Sequence, residues 1–175
     1  GAEMCANEEM IRRSFREIRS AEDMAAAYGI YRSNPDYFRL TAGRLPELAD
    51  VAADREALPE GLDPGQKRFL LYSLDGVPVA VLDLLAGFPR ADTLHIGLLL
   101  VDGTRRRQGI GKLLVTALAR QAEAEGFRRL RLGVVAGNCG GRAFWTAMGF
   151  HTVDTVESCP APDRRWTVEI MERPL

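Results

Sequence analysis

The chain is poor in the residues that would commit it to metal or disulfide chemistry. Of its 175 residues three are cysteines (Cys5, Cys139, Cys159) and two are histidines. An odd cysteine count without C-x-x-C spacing argues against a disulfide framework and a zinc site, so no metal is expected. A dominant charge is lacking too. The 23 basic and 24 acidic residues leave a formal net charge of −1, so no whole-molecule field draws the chain to nucleic acid or membrane. No apolar run approaches the roughly 20 residues of a membrane span. The opening stretch GAEMCANEEM has no hydrophobic segment of a secretory leader. These absences, with unpaired cysteines suited to a reducing compartment, lead to the expectation of a cytoplasmic protein. Internal repeats and low-complexity tracts are missing as well.

What is present reads as one domain over residues 1–175, long enough to bury about 70% of its unfolded surface. Residues 10–18 read as an opening strand and 21–32 as a helix stopped by Asn34-Pro35. A punctuated segment follows, with a short helical run over 48–57, so residues 20–66 form a helical insertion on one side of a sheet. Runs at 68–74 and 77–85, joined by Asp75-Gly76, carry a strong hairpin signal. Further strands are expected at 93–101, 128–135, 151–156 and 166–171, the last two flanking a Pro-rich loop at 159–163. The fold class is therefore α/β, with a mixed, mainly antiparallel sheet.

The densest feature is the loop Arg105-Arg-Arg-Gln-Gly-Ile-Gly-Lys112, between a strand run and an amphipathic helix. Ile110, Leu113, Leu114, Ala117, Leu118 and Ala122 repeat at helical spacing, and Gly126 offers a stop. A basic, glycine-bearing helix start presents unpaired N–H groups and a positive dipole end to an anion. Two common phosphate motifs fail. A P-loop needs Gly where Arg106 stands and Ser or Thr where Leu113 stands, and a dinucleotide fingerprint needs Gly at Leu114. What fits is R-x-x-G-x-G over Arg106, Arg107, Gln108, Gly109, Ile110 and Gly111. A second segment, from Asn138 through Phe144, Trp145 and Gly149 to Phe150, reads N-x6-[YW]-x3-G-F.

These two segments, in this order, resemble the acyl-CoA pyrophosphate loop and the following cofactor-packing helix of the GNAT superfamily of N-acyltransferases. The resemblance covers roughly residues 77–175. It implies a sheet in which two parallel strands, 93–101 and 128–135, splay to admit acetyl-CoA as co-substrate, with helices on both faces. It further implies that the backbone of Leu99, Leu100 and Val101 pairs with the pantetheine arm. Arg106, Arg107, Gln108, Gly109, Gly111 and Lys112 would bind pyrophosphate, and Asn138, Phe144 and Trp145 would pack around the arm.

The expected reaction is acetyl transfer to a primary amine of a small molecule or peptide, by direct attack on the thioester. His95 is the first candidate base, because an unperturbed pKa of about 6.5 suits proton transfer at neutral pH. Asp83 is the second, as a carboxylate in an otherwise apolar strand. Trp145 stands where many relatives carry Tyr, and an indole N–H has no accessible acid chemistry, so no acid is assigned. Tyr28, Tyr31, Tyr37 and Phe38, near Asp36, Glu47, Asp50 and Asp54, suit either a mouth for a cationic amine or core aromatics with solvated acids. The other reading is a non-catalytic acyl-CoA-binding protein of the same fold. Either is expected to be a monomer or homodimer without nucleic-acid or membrane partners.

Overall fold

The computed structural model describes residues 15–175. Its elements run β1 (Phe15–Glu17), α1 (Ala21–Arg32), α2 (Pro35–Ala42), α3 (Leu48–Glu56), β2 (Lys67–Leu74), β3 (Val77–Ala86) and β4 (Thr93–Val101). There follow α4 (Ile110–Ala124), β5 (Arg129–Val135), α5 (Cys139–Ala147), β6 (His151–Ala161) and β7 (Arg164–Pro174). The strands form a seven-stranded sheet in the order β1-β2-β3-β4-β5-β7-β6. Among the described residues only the β4–β5 pair is parallel; the other pairings are antiparallel. The mixed, mainly antiparallel class is as expected.

Two buried clusters lie on opposite faces of this sheet. One joins Ile110, Leu114, Leu118 and Ala122 of α4 to Leu82, Leu94, Ile96, Leu130 and Leu132 of the strands, with Phe144 and Trp145 of α5 packed on it. The other joins Ala27, Ile30 and Tyr31 of α1, Phe38 of α2 and Val51 of α3 to Phe69, Leu71, Val81 and Leu100. Helices therefore cover both faces. The insertion between β1 and β2 seals the second face with three amphipathic helices, each too short to hold without that burial.

Local chemistry explains most boundaries. At the start of α1, Ser20 Oγ accepts from Asp23 N at 3.0 Å, and Asp23 Oδ2 accepts from Ser20 N at 3.1 Å, a reciprocal cap. The Asp75-Gly76 turn has φ of 50° and 78°, the left-handed pair that a two-residue hairpin needs. The expected opening strand is seen at Phe15–Glu17; the rest of residues 10–14 lies outside the described residues.

Three boundaries differ from the sequence reading. Pro35 stops α1 but also opens α2, as the first residue of a helix whose N–H would be unpaired in any case. The strand expected from residue 128 begins at Arg129. The expected loop at 159–163 is mostly strand, with β6 reaching Ala161 and β7 starting at Arg164. β6 is an edge strand, and its register with β7 shifts between Ser158 and Ala161.

Candidate active site

The parallel pair holds together over only part of its length. Thr93 to Ile96 of β4 pair with Arg129 to Leu132 of β5; beyond them the strands part. At the parting β4 carries an extra residue. Asp83 of β3 faces Leu98 and Leu84 faces Ile96, so Gly97 bulges between them. The bulge reverses the alternation of side chains. Leu94 and Ile96 belong to the α4 cluster, whereas Leu98 and Leu100 turn to the helical insertion. A cleft opens along the gap, lined by Ile96, Gly97 and Leu99 of β4, Gly133 of β5, Tyr37 of α2 and Trp145 of α5.

The strand leads into a basic loop and α4. Arg107 (φ 64°) and Gly109 (φ 75°) both take left-handed backbone. Gly109 is the N-cap of α4, no side chain caps that end, and the first turn holds no acidic residue. Four orphan N–H groups and the positive dipole end are thus left for an anion. Arg107, Gln108 and Lys112 are exposed or half-exposed around this start. The residues fit a pyrophosphate. When bound, acetyl-CoA would supply the activated acyl thioester.

The two glycines have different duties. A Cβ on Gly109 would meet nothing within 4 Å, so its backbone angle is what requires glycine. A Cβ on Gly111 would lie 3.2 Å from Phe144 Cζ, so this glycine lets α4 and α5 pack closely. Gly109→Val places a β-branched residue at φ 75°, a strain of about 1–2 kcal/mol. Its expected result is a CoA dissociation constant raised about tenfold by calorimetry, with the loop's charges unchanged. An undiminished affinity would remove the loop from CoA binding.

Each remaining expected residue has a defined place. Asn138 caps α5, its Oδ1 accepting from Gly141 N at 3.0 Å, and also lines the cleft. Trp145 stacks edgewise on Phe144 and Phe150, at 5.0 and 5.1 Å between centroids. Leu99 lines the cleft, Leu100 is buried under the insertion, and the Val101 carbonyl accepts from Asn34 Nδ2 at 2.9 Å. Arg106 Nη2 donates to Asn34 Oδ1 at 3.0 Å.

The two base candidates sit on the insertion side of the sheet in different surroundings. His95 Nδ1 accepts from Arg131 Nη1 at 3.0 Å. Burial, then the Arg131 charge, lowers its pKa to about 4. Asp83 belongs to a polar cluster that sequence reading did not assemble. Lys67 Nζ donates to Asp83 Oδ2 at 2.9 Å and to the carbonyls of Asp54 and Ala57 at 2.7 and 2.8 Å. Asp83 Oδ1 faces the same ammonium at 2.8 Å without hydrogen-bond geometry. Tyr31 Oη donates to Asp54 Oδ2 at 2.7 Å. Burial raises the Asp83 pKa, partly offset by Lys67, and burial likewise raises that of Asp54. Asp83 Oδ2 lies 3.3 Å from where a Cβ on Gly97 would stand, so the bulge glycine leaves the carboxylate beside the cleft.

Among the aromatic and acidic residues of the insertion, Tyr31 and Phe38 are core and Asp50 pairs with Arg44. Tyr37 reaches the cleft. Among the described residues no group of three or more His, Cys, Asp or Glu is placed to hold a metal ion.

A parallel strand pair that parts at a β-bulge, with a basic uncapped helix start following the bulged strand, defines the class of acyl-CoA-dependent transferases. The model of the acetyltransferase (GNAT) family matches residues 28–150, and the chain belongs to that family. An acetyltransferase from Thermus thermophilus is similar at 30% identity, over 93% of this chain and 97% of that one, with a TM-score of 0.70. The ribosomal-protein-S18-alanine N-acetyltransferase of Escherichia coli shares the fold at 21% identity, over 91% and 92% of the chains, with a TM-score of 0.63. A GNAT acetyltransferase from Elizabethkingia anophelis, solved with acetyl-CoA bound, does so at 16% identity over 63% and 78%, with a TM-score of 0.56. Comparison with curated proteins gives no match.

Proposed function

We propose that the chain transfers the acetyl group of acetyl-CoA to a primary amine by direct attack on the thioester in the β4–β5 cleft. The observation that carries this reading is the parting of the strands after Ile96 and Leu132, with a glycine bulge at the parting. Backbone N–H groups of β4 on that open edge are free to pair with the pantetheine arm and to meet a developing oxyanion. One such donor contributes about 2.7–4 kcal/mol to acyl transfer.

The amine must lose a proton, and Asp83 suits that role better than His95. The Lys67 ammonium keeps the carboxylate ionised, burial keeps it more basic than an exposed one, and Gly97 leaves its path to the cleft open. His95 offers Arg131 its Nδ1 lone pair, which puts its proton on Nε2 and leaves little basicity. Tyr37 brings a phenol to the cleft wall, pushed up to about 12 by burial. It serves as proton donor in place of the indole at Trp145. The exposed thiols of Cys139 and Cys159 suit a reducing cytoplasm, and among the described residues no helix is long and apolar enough to cross a membrane.

The indole at Trp145 favours a second reading, a non-catalytic acyl-CoA-binding protein. Thiol release from acetyl-CoA, corrected for hydrolysis, over amino acids, polyamines, arylalkylamines and peptide N-termini separates the two. Acetylation of at least one amine class is expected. Tight CoA binding with no acetylated amine would select the non-catalytic reading, and no rise in melting temperature with CoA would remove both.

A further inference from the structure

Asn34 stands at the N-cap position of α2 and is buried, 4% exposed, yet it does not cap its helix. Asparagine is favoured at such a position because its side-chain oxygen accepts from the first helical N–H groups. Here the side chain makes no cap bond, and its amide is engaged elsewhere. Nδ2 donates to the carbonyls of Ile30 at 3.0 Å and Val101 at 2.9 Å, and Oδ1 accepts from Arg106 Nη2 at 3.0 Å. Two carbonyls on one side and a guanidinium on the other fix the orientation of the amide. A buried amide with all its groups paired holds its partners rigidly, because separating them leaves each unsatisfied.

The place of the Val101 carbonyl follows from the strand pairing. Asp102 N donates to Val79 O of β3 at 2.8 Å. Across a trans peptide the N–H and the preceding C=O point opposite ways, so Val101 O faces away from β3, along the edge that β5 has left. Asn34 Nδ2 meets it as the N–H of a neighbouring strand would. From this anchor α2 crosses the gap. A Cβ on Gly137, just past β5, would lie 3.7 Å from Leu40 Cδ1, and one on Gly43, at the C-cap, 2.5 Å from Arg164 Nη1 of β7. Tyr37 and Thr41 follow Asn34 at three and seven positions, on one stripe of the helix, and both line the cleft. The stripe that starts on the open edge of β4 thus becomes the cleft wall.

We propose that Asn34 is a positioning residue: its bond to the Val101 carbonyl seats α2 against the parted edge of β4, and so places the Tyr37 hydroxyl for the departing thiolate. This rests on the acetyl-transfer reading with Tyr37 as proton donor. As the C–S bond breaks, Tyr37 Oη gives its proton to the CoA sulfur, and the phenolate takes one back from solvent. Asn34 moves no proton; it fixes the place from which Tyr37 moves one. A displacement of about 1 Å at a reacting group costs about 10²-fold in rate.

The test is a double-mutant cycle on kcat with one accepted amine, using Asn34→Ala, Tyr37→Phe and the pair. Each single change is expected to lower kcat about 100-fold, with a smaller change in the KM for the amine. The pair should also lose about 100-fold, because both changes remove one function. Losses that multiply to about 10⁴-fold would mean that Asn34 supports the fold alone, and would overturn the proposal while acetyl transfer stands. So would an undiminished kcat in Asn34→Ala. An undiminished kcat in Tyr37→Phe removes the proton donor, and with it this duty of Asn34. If the wild type acetylates no amine, the acetyl-transfer reading and the proposal fail together. Cooperative thermal melting identifies folded variants. Where alanine does not fold, Asn34→Asp, alike in size but without the amide donors, takes its place in the cycle.

Discussion

Asp83→Asn lowers kcat/KM about 100-fold or more for every amine the enzyme accepts, and leaves CoA affinity near its wild-type value. The substitution keeps the shape of the side chain and removes its ability to take a proton. A positioned base contributes about 10²–10⁴ to rate. Lys67 keeps its carbonyl partners at Asp54 and Ala57, so the ammonium is not stranded. The pH profile carries the discriminating part. Burial, the largest influence on Asp83, raises its pKa above the ordinary carboxylate value, so activity falls as pH drops through that raised value. Lys67→Met removes the charge that opposes the shift, and the acid limb then moves to higher pH. In Asp83→Asn the limb disappears; in His95→Ala it stays. The reverse pattern, a limb lost in His95→Ala and kept in Asp83→Asn, returns the base to His95. Stability follows the same sign. A carboxylate with a raised folded pKa favours the fold most below its ordinary pKa, and that contribution is lost as pH rises through the raised value.

The sequence was most legible where a short stretch determines its own structure. The Asp75-Gly76 hairpin, the amphipathic α4 and the Gly109 and Gly149 turns, with φ of 75° and 91°, each depend on neighbours in the chain. The loop–helix motif was legible for the same reason. The helix boundary at Pro35 went astray because a proline breaks a helix only where an N–H is needed, and the first helical position needs none. The polar clusters were not legible. Lys67 and Asp83 are sixteen residues apart and Tyr31 and Asp54 twenty-three, joined only once the insertion docks on the sheet. The His95–Arg131 contact depends on the parallel register, which no local pattern encodes. Buried charges betray themselves in sequence only as interruptions of apolar runs. Asp83 was noticed on that ground, but its partner Lys67, at a strand start, reads as ordinary punctuation.

Gly103→Ala costs several kcal/mol of stability and weakens CoA binding with it, although Gly103 neither adopts left-handed backbone nor belongs to the glycine motif. The reason is the corner between α1 and α2. Gly103 N donates to Ser33 Oγ at 2.9 Å, and a Cβ on Gly103 would stand 2.0 Å from the Ser33 carbonyl oxygen and 2.9 Å from its carbon. Both are backbone atoms, so no rotamer change relieves the contact. The corner must withdraw. Asn34 is buried there, with Nδ2 donating to the carbonyls of Ile30 and Val101 and Oδ1 accepting from Arg106. Withdrawal breaks the bonds that join the insertion to the end of β4 and to Arg106 of the basic loop. Overpacking alone costs about 1–3 kcal/mol, and each broken buried hydrogen bond adds about 1 kcal/mol. For a chain of this size the fall in melting temperature is about 2–4 °C per kcal/mol. Gly29→Ala, in the interior of α1 with nothing within 4 Å of the new Cβ, goes the other way, stabilising by up to about 1 kcal/mol. Thermal unfolding of both variants, with and without CoA, reads the contrast. A Gly103→Ala protein that melts like the wild type and keeps its full CoA-induced shift would mean that the helical insertion and the basic loop are not mechanically joined at this corner.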